Sequence, residues 1–150
     1  NTPALVGAGM TVLVAGPNAT PDDMSVARRL FASAGEVAEV PDEGLLDAVT
    51  AVSGSGPGFL FAYGEAMLAA AKRVGLGDEL ALQLVRQTVF GSALLWRESS
   101  EPVSRLREMV TSPGGTTKAG LDALGTSGFA EAIAACVEAA ARRARELAGH

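Results

Sequence analysis

Ser112-Pro113-Gly114-Gly115-Thr116-Thr117 interrupts a chain that otherwise reads almost throughout in helical periods. Pro113 fixes one backbone angle. Gly114 and Gly115 remove side chains where a helix is about to begin, and Thr116 and Thr117 set two hydroxyls on its first turn. The unpaired N–H groups of a helix start lie at the positive end of the dipole and hold a small anion without any arginine. An ordinary capped turn is the other reading of the same residues. Beyond this break the spacing predicts a helix through Leu124 and a last one from about Phe129 to Leu147, with Ile133, Val137, Ala140, Ala144 and Leu147 on one face.

Upstream of the break, a short helix is predicted from near Pro102, carrying Val103, Leu106 and Met109. Before it, Asp78 is a candidate cap for a helix reaching about Glu98, with Leu80, Leu84, Val85, Val89 and Leu95 as its apolar positions. A helix ending at Val74 bears Leu60, Tyr63, Met67 and Ala71, and Gly75-Leu76-Gly77 closes it. Ser53-Gly54-Ser55-Gly56-Pro57 marks a second break, after a helix capped by Asp42. Its glycines would let a ligand approach the backbone and its serines offer hydroxyls, although a flexible interhelical turn reads the same way. Met67 to Ala71 and Ala132 to Val137 have almost no polar face. A helix apolar all round must be covered on several sides, so an intertwined homodimer is expected, with a compact monomeric bundle as the alternative.

The first part of the chain differs. Met10 to Ala15 is rich in strand formers, and Gly16-Pro17-Asn18 breaks it. Thr20 can cap a helix with Pro21 at its first position and Asp22 and Asp23 at its positive end, and Gly35 is placed to end it. Val37 to Val40 alternates like a second strand. Strand, helix and strand within residues 10–40 form a unit too small to bury both faces of a sheet.

Composition removes several function classes. Hydrophobic residues make up 48% and aromatics 5%, which suits closely packed helices better than a β-sandwich. The net charge is −5, and the nearest basic cluster, Arg142, Arg143 and Arg145, falls in the last turns of a helix, where cations are ordinary; nucleic acid is not expected as a partner. Cys136 is the one cysteine and His150 the one histidine. A disulfide within one chain, a thiolate or histidine metal site and a His-based triad therefore all lack parts, and Cys136 is expected as a small buried apolar residue. No uncharged apolar run approaches ~20 residues, so no membrane span is expected. Without a signal peptide, a soluble cytoplasmic protein is the expectation. The chain starts Asn1-Thr2-Pro3 with no initiator methionine, which suggests a fragment.

Residues 109–117, Met-Val-Thr-Ser-Pro-Gly-Gly-Thr-Thr, resemble the signature segment of the pyrroline-5-carboxylate reductase family. So do residues 47–57, Asp-Ala-Val-Thr-Ala-Val-Ser-Gly-Ser-Gly-Pro, and Asn1-Thr2-Pro3 resembles a turn before the last strands of that family's nucleotide domain. The order and separation match too, and the resemblance covers the whole chain. It implies a mainly α fold: residues 42–150 as an all-helical dimerisation and substrate-binding domain, preceded in residues 1–41 by a small strand-helix-strand remnant of a Rossmann-type α/β domain. It further implies reduction of 1-pyrroline-5-carboxylate to L-proline with NADPH or NADH, the last step of proline biosynthesis, in a homodimer that is part of a ring of dimers in many relatives. Ser112, Gly114, Gly115, Thr116 and Thr117 would then hold the substrate carboxylate, Thr117 would also face the ring nitrogen as the catalytic hydroxyl, and Ser53, Ser55 and Gly56 would shape the turn beside the pocket. Asn1, Thr2 and Pro3 would lie near the nicotinamide. No metal is implied.

Two departures stand out. Gly58-Phe59 replaces the small residue and tyrosine common in the family, and no Gly-x-Gly-x-x-Gly loop follows a strand. The cofactor is therefore expected to be bound mainly by an N-terminal half that this sequence lacks, and the chain alone is expected to be inactive. A non-catalytic helical oligomerisation module and a reductase of another cyclic imine are the alternatives.

Overall fold

The computed structural model describes residues 1–149; His150 lies outside the described residues. It divides into two units, residues 1–59 with the segment from Ala134 onward, and residues 60–133.

In the first unit, a 3-10 turn over Thr2–Val6 leads into β1 (Gly9–Leu13), which pairs in parallel with β2 (Gly35–Glu39). The connection is α1 (Pro21–Phe31). Gly9 pairs with Gly35 at the start of the ladder. Gly35 has φ 148°, and a Cβ there would fall 2.0 Å from the carbonyl oxygen of Gly9, so only glycine fits. Gly35 therefore opens β2 instead of ending α1. The helix stops at Phe31, and the Ser33 hydroxyl donates to the carbonyl of Leu30 at 2.8 Å.

The start of α1 follows the sequence closely. The Thr20 hydroxyl accepts from the N–H of Asp23 at 3.2 Å, and the Asp23 carboxylate accepts from the N–H and hydroxyl of Thr20 at 2.9 and 2.6 Å. These bonds favour the ionised form, so Asp23 titrates below the ordinary aspartate range, chiefly through the Thr20 side chain and then the Thr20 backbone. A lowered carboxyl pKa adds stability that is complete above the unfolded value and disappears as pH falls through the folded value. Thr20→Ala should return Asp23 to the ordinary range in an NMR pH titration and cost about 1 kcal/mol of helix capping. An unchanged Asp23 midpoint would assign the shift to something other than the cap.

From Glu43 to Arg73 the backbone is one helical run of 31 residues. It begins as a 3-10 turn (Glu43–Leu45) with Asp42 accepting from the N–H of Gly44, continues as α2 (Leu46–Val49), passes through a π-helical turn (Thr50–Gly54) and becomes α3 (Gly56–Arg73). The break expected at residues 53–57 is not an interhelical turn: the chain absorbs an extra residue by i→i+5 bonding, and the N–H of Ser55 donates to the carbonyl of Thr50 at 2.9 Å. Joining the two halves also makes this helix long and apolar enough to cross a bilayer by length and composition, where the sequence had suggested no such segment. A central helix of a two-chain bundle has the same composition.

The second unit holds most of α3, then α4 (Asp78–Glu98), α5 (Val103–Met109) and α6 (Thr116–Thr126), and reaches the first turn of α7 (Phe129–Ala148). Gly77, not Asp78, is the N-cap of α4; Asp78 stands in its first turn, where its carboxylate reaches Lys72 at 3.0 Å. Among the described residues only Ala81 and Val85 in this unit, and Ala51 in the first, are buried hydrophobics. Large side chains lie open instead, Phe61 at 63%, Phe90 at 59% and Trp96 at 58%. Cys136 is exposed as well, contrary to its expected burial, because its face of α7 meets no cover among the described residues. Within the second unit α3, α4 and α5 enclose an apolar groove of about 420 Å³ between Leu60, Tyr63, Val89, Trp96 and Leu106.

Candidate active site

The site is a turn that ends one helix and starts the next. At the end of α5 the Thr111 hydroxyl donates to the carbonyl of Arg107 at 2.6 Å, and its N–H to that of Glu108 at 2.9 Å. The chain is thereby fixed as it enters the turn. The carbonyl of Ser112 then accepts from the N–H of Gly115 at 3.0 Å. Pro113 follows Ser112, and Gly114 has φ 69°. This is the pattern of a type II turn, in which proline suits the second position and the third needs a residue free to enter the left-handed region. Gly115 is the N-cap of α6, and a Cβ built on it would stand 2.3 Å from the Ser112 Oγ and 3.1 Å from the Ser112 carbonyl oxygen. Both glycines thus have a steric reason, one conformational and one of space.

The result is an uncapped helix start. No side chain accepts from its first turn, and the first backbone bond of α6 runs from the N–H of Ala119 to the carbonyl of Gly115 at 3.2 Å. The N–H groups of Thr116, Thr117 and Lys118 find no acceptor among the described residues. Ser112, Thr116 and Thr117 are exposed. Neither the groove of the second unit nor the shallower depression at the start of α4 includes them.

Charge separates this helix start from those of α1, α4 and α7. The first turns of α1, α4 and α7 carry Asp22 and Asp23, Asp78 and Glu79, and Glu131. A carboxylate ligand would be repelled at each. The first turn of α3 is consumed by the preceding π turn, because the N–H groups of Gly58 and Phe59 both donate to the carbonyl of Ser55. The first turn of α6 has no acid. Its one charge is Lys118, whose ammonium is held one turn further on by both oxygens of Asp122, at 2.7 and 2.6 Å. At the α6 start an anion meets free donors and no opposing charge.

The remaining sequence candidates lie in the first unit. Ser55 sits half-buried where the π turn meets α3. Asn1 caps the Thr2–Val6 turn, its side-chain amide donating to the carbonyl of Met10 at 3.0 Å, and Pro3 accepts from the N–H of Ala8. Thr2 is exposed beside them. Thr111 and the Lys118–Asp122 pair were not singled out from sequence. A threonine or lysine four residues from its partner on a helix was the available signal.

A dinucleotide does not fit the described residues. The strand-to-helix loop after β1 leads to the start of α1, where Thr20 is committed to Asp23 and the first turn carries two acids, Asp22 and Asp23, that oppose a pyrophosphate. No group of three or more metal-ligating side chains occurs among the described residues.

Over residues 43–147 the chain matches the family described as pyrroline-5-carboxylate reductase dimerisation. It is 46% identical over 147 residues to the pyrroline-5-carboxylate reductase of Synechocystis, covering 98% of this chain and 55% of that protein. It is 42% identical, with 98% and 52% covered, to pyrroline-5-carboxylate reductase 2 of Bacillus subtilis. Among solved structures, a pyrroline-5-carboxylate reductase from Coxiella burnetii superposes with a TM-score of 0.94 at 38% identity, covering 98% of this chain and 54% of that one. The Plasmodium falciparum pyrroline carboxylate reductase with NADP bound gives 0.89 at 34%, covering 97% and 59%. The chain thus spans about half the length of the relatives it matches. With a mainly helical fold, a small parallel βα unit before the matched region and the Ser112–Thr117 turn within it, the chain belongs to the pyrroline-5-carboxylate reductase dimerisation family.

Proposed function

We propose that the protein reduces 1-pyrroline-5-carboxylate to L-proline with NADPH or NADH as the reductant, and that this chain supplies the substrate-holding turn and the surface on which two copies join. The observation that carries the reading is the α6 start: three unpaired N–H groups, two free hydroxyls and no acid in the first turn. A planar carboxylate bridges such donors without a charged partner. The reductant is held mainly by residues other than those described here, with Asn1, Thr2 and Pro3 reaching its nicotinamide end.

In this reading residues 1–41 complete a dinucleotide-binding domain and residues 42–150 form the substrate-binding and dimerisation domain. Ser112, Gly114, Gly115, Thr116 and Thr117 bind the carboxylate, and Ser55 adds a hydroxyl to the pocket wall. Thr117 directs its hydroxyl to the ring nitrogen. Asn1, Thr2 and Pro3 stand near the nicotinamide. The iminium form of the substrate already carries the proton that the product nitrogen keeps, so no histidine or cysteine is required. Holding the ring in one orientation supplies several kcal/mol, and that is the task of the turn. The open mouth gains its walls from a second copy and from the nucleotide-binding part. Assembly into rings of dimers and a cytoplasmic location belong to the same reading.

The complete gene product should convert 1-pyrroline-5-carboxylate to L-proline as NADPH is consumed. This chain alone should bind L-proline by calorimetry and show no turnover. Robust turnover by the chain alone would place the nucleotide site within these residues, and no proline-forming activity in the complete product would leave a helical oligomerisation module.

A further inference from the structure

We infer that the π-helical turn over Thr50–Gly54 is a positioning device for the hydroxyl of Ser55, and that Ser53 is the residue that holds it. The inference rests on the substrate-binding reading of Ser55 given above. Two serines stand two residues apart, and the structure gives them different employment. The Ser53 hydroxyl donates to the carbonyl of Val49 at 3.2 Å, four residues back and just before the π turn. The Ser55 hydroxyl has no partner among the described residues, while its N–H closes the turn on Thr50 at 2.9 Å. One hydroxyl is committed to the backbone and the other is available.

A π turn inserts one residue into an α-helix, so the residues after it are rotated by about 100° relative to an uninterrupted helix. Ser55 is the first residue after the insertion, and its direction depends on whether the extra residue is accommodated there. π turns are less favourable than α turns and persist where surrounding bonds hold them, often at functional sites. Ala51, at 0% exposure, anchors the inner side of the turn. On the outer side the Ser53–Val49 bond gives the Val49 carbonyl a side-chain donor within the run where the i→i+4 ladder gives way to i→i+5. Gly54 faces Thr50, where a Cβ would lie at an ordinary 3.5 Å from the Thr50 Cγ2, so space does not require glycine there. The side-chain bond of Ser53 is the specific lock.

Loss of the lock should affect substrate binding before chemistry, because a hydroxyl that only binds the substrate contributes equally before and during reaction. In the complete gene product, Ser53→Ala and Ser55→Ala should each raise KM for 1-pyrroline-5-carboxylate roughly five- to tenfold with kcat nearly unchanged. Ser53→Thr, which keeps a hydroxyl able to reach the i−4 carbonyl, should restore KM. Should Ser53→Ala be too unstable to assay, Ser53→Cys keeps the size, weakens the donor and carries the same comparison. A KM effect at Ser55 with none at Ser53, or a Ser53→Ala defect that Ser53→Thr does not rescue, overturns the positioning role and leaves the substrate reading intact. An unchanged KM in Ser55→Ala removes Ser55 from the site and the inference with it.

Discussion

Thr117→Ala in the complete gene product is expected to lower kcat on 1-pyrroline-5-carboxylate on the order of 10²-fold, a loss comparable to removing one directed hydrogen bond at the reacting atoms, here the bond that the hydroxyl accepts from the iminium N–H. Thr116→Ala should cost no more than roughly tenfold, and mainly in KM, as loss of a single binding hydrogen bond would. The asymmetry follows from helix geometry. Thr116 and Thr117 are the first two residues of α6, and neighbouring positions diverge by about 100° around the axis. With the carboxylate seated on the free N–H groups, only one of the two hydroxyls can face the ring nitrogen. Both side chains are exposed, so neither substitution opens a cavity, and stability serves as the control. Equal kcat for Thr117→Ala and the unsubstituted enzyme would remove this hydroxyl from the mechanism. Equal losses at both positions would mean that the two act only through the carboxylate.

Phe90→Asp is expected to lower stability by about 3–5 kcal/mol and shift the protein from dimer toward monomer in sedimentation equilibrium. In α4 the buried residues Ala81 and Val85 are one turn apart on one face. Phe90 lies about half a revolution round the helix from them, and it is 59% exposed in the single chain. A phenylalanine in water gains nothing, whereas full burial contributes about 1.5–3 kcal/mol, and a carboxylate in its place would be stranded. An unchanged molecular mass and melting temperature in Phe90→Asp would show that a second copy does not cover this face.

Much of this was legible in the sequence for local reasons. Thr20, Pro21, Asp22 and Asp23 specify their helix start by side-chain chemistry alone, and the structure reproduces it as a reciprocal cap. Pro113 and Gly114 likewise dictate a turn type that neighbours do not alter. Gly35 was misread because its reason is distant: it must clear the Gly9 backbone on the neighbouring strand. Ser53 to Pro57 was misread as a break because glycine, serine and proline usually end a helix, and composition does not reveal that a π turn can carry the chain through. Cys136 was expected inside because small apolar residues on an alanine-rich helix are usually covered, and in one chain it is not. The site candidates were found as a string of residue types. Their geometry, above all that the α6 start lacks the acids present at α1, α4 and α7, emerged only from comparing helices in the structure.

The donors at the α6 start are backbone amides and hydroxyls, and its one cation is already neutralised by Asp122. Fixed partial charges of this kind act only within about the first turn, unlike the long-range field of a cluster of lysines or arginines. On the substrate-binding reading proposed above, an acid would be held there by fit at contact and not drawn in from a distance.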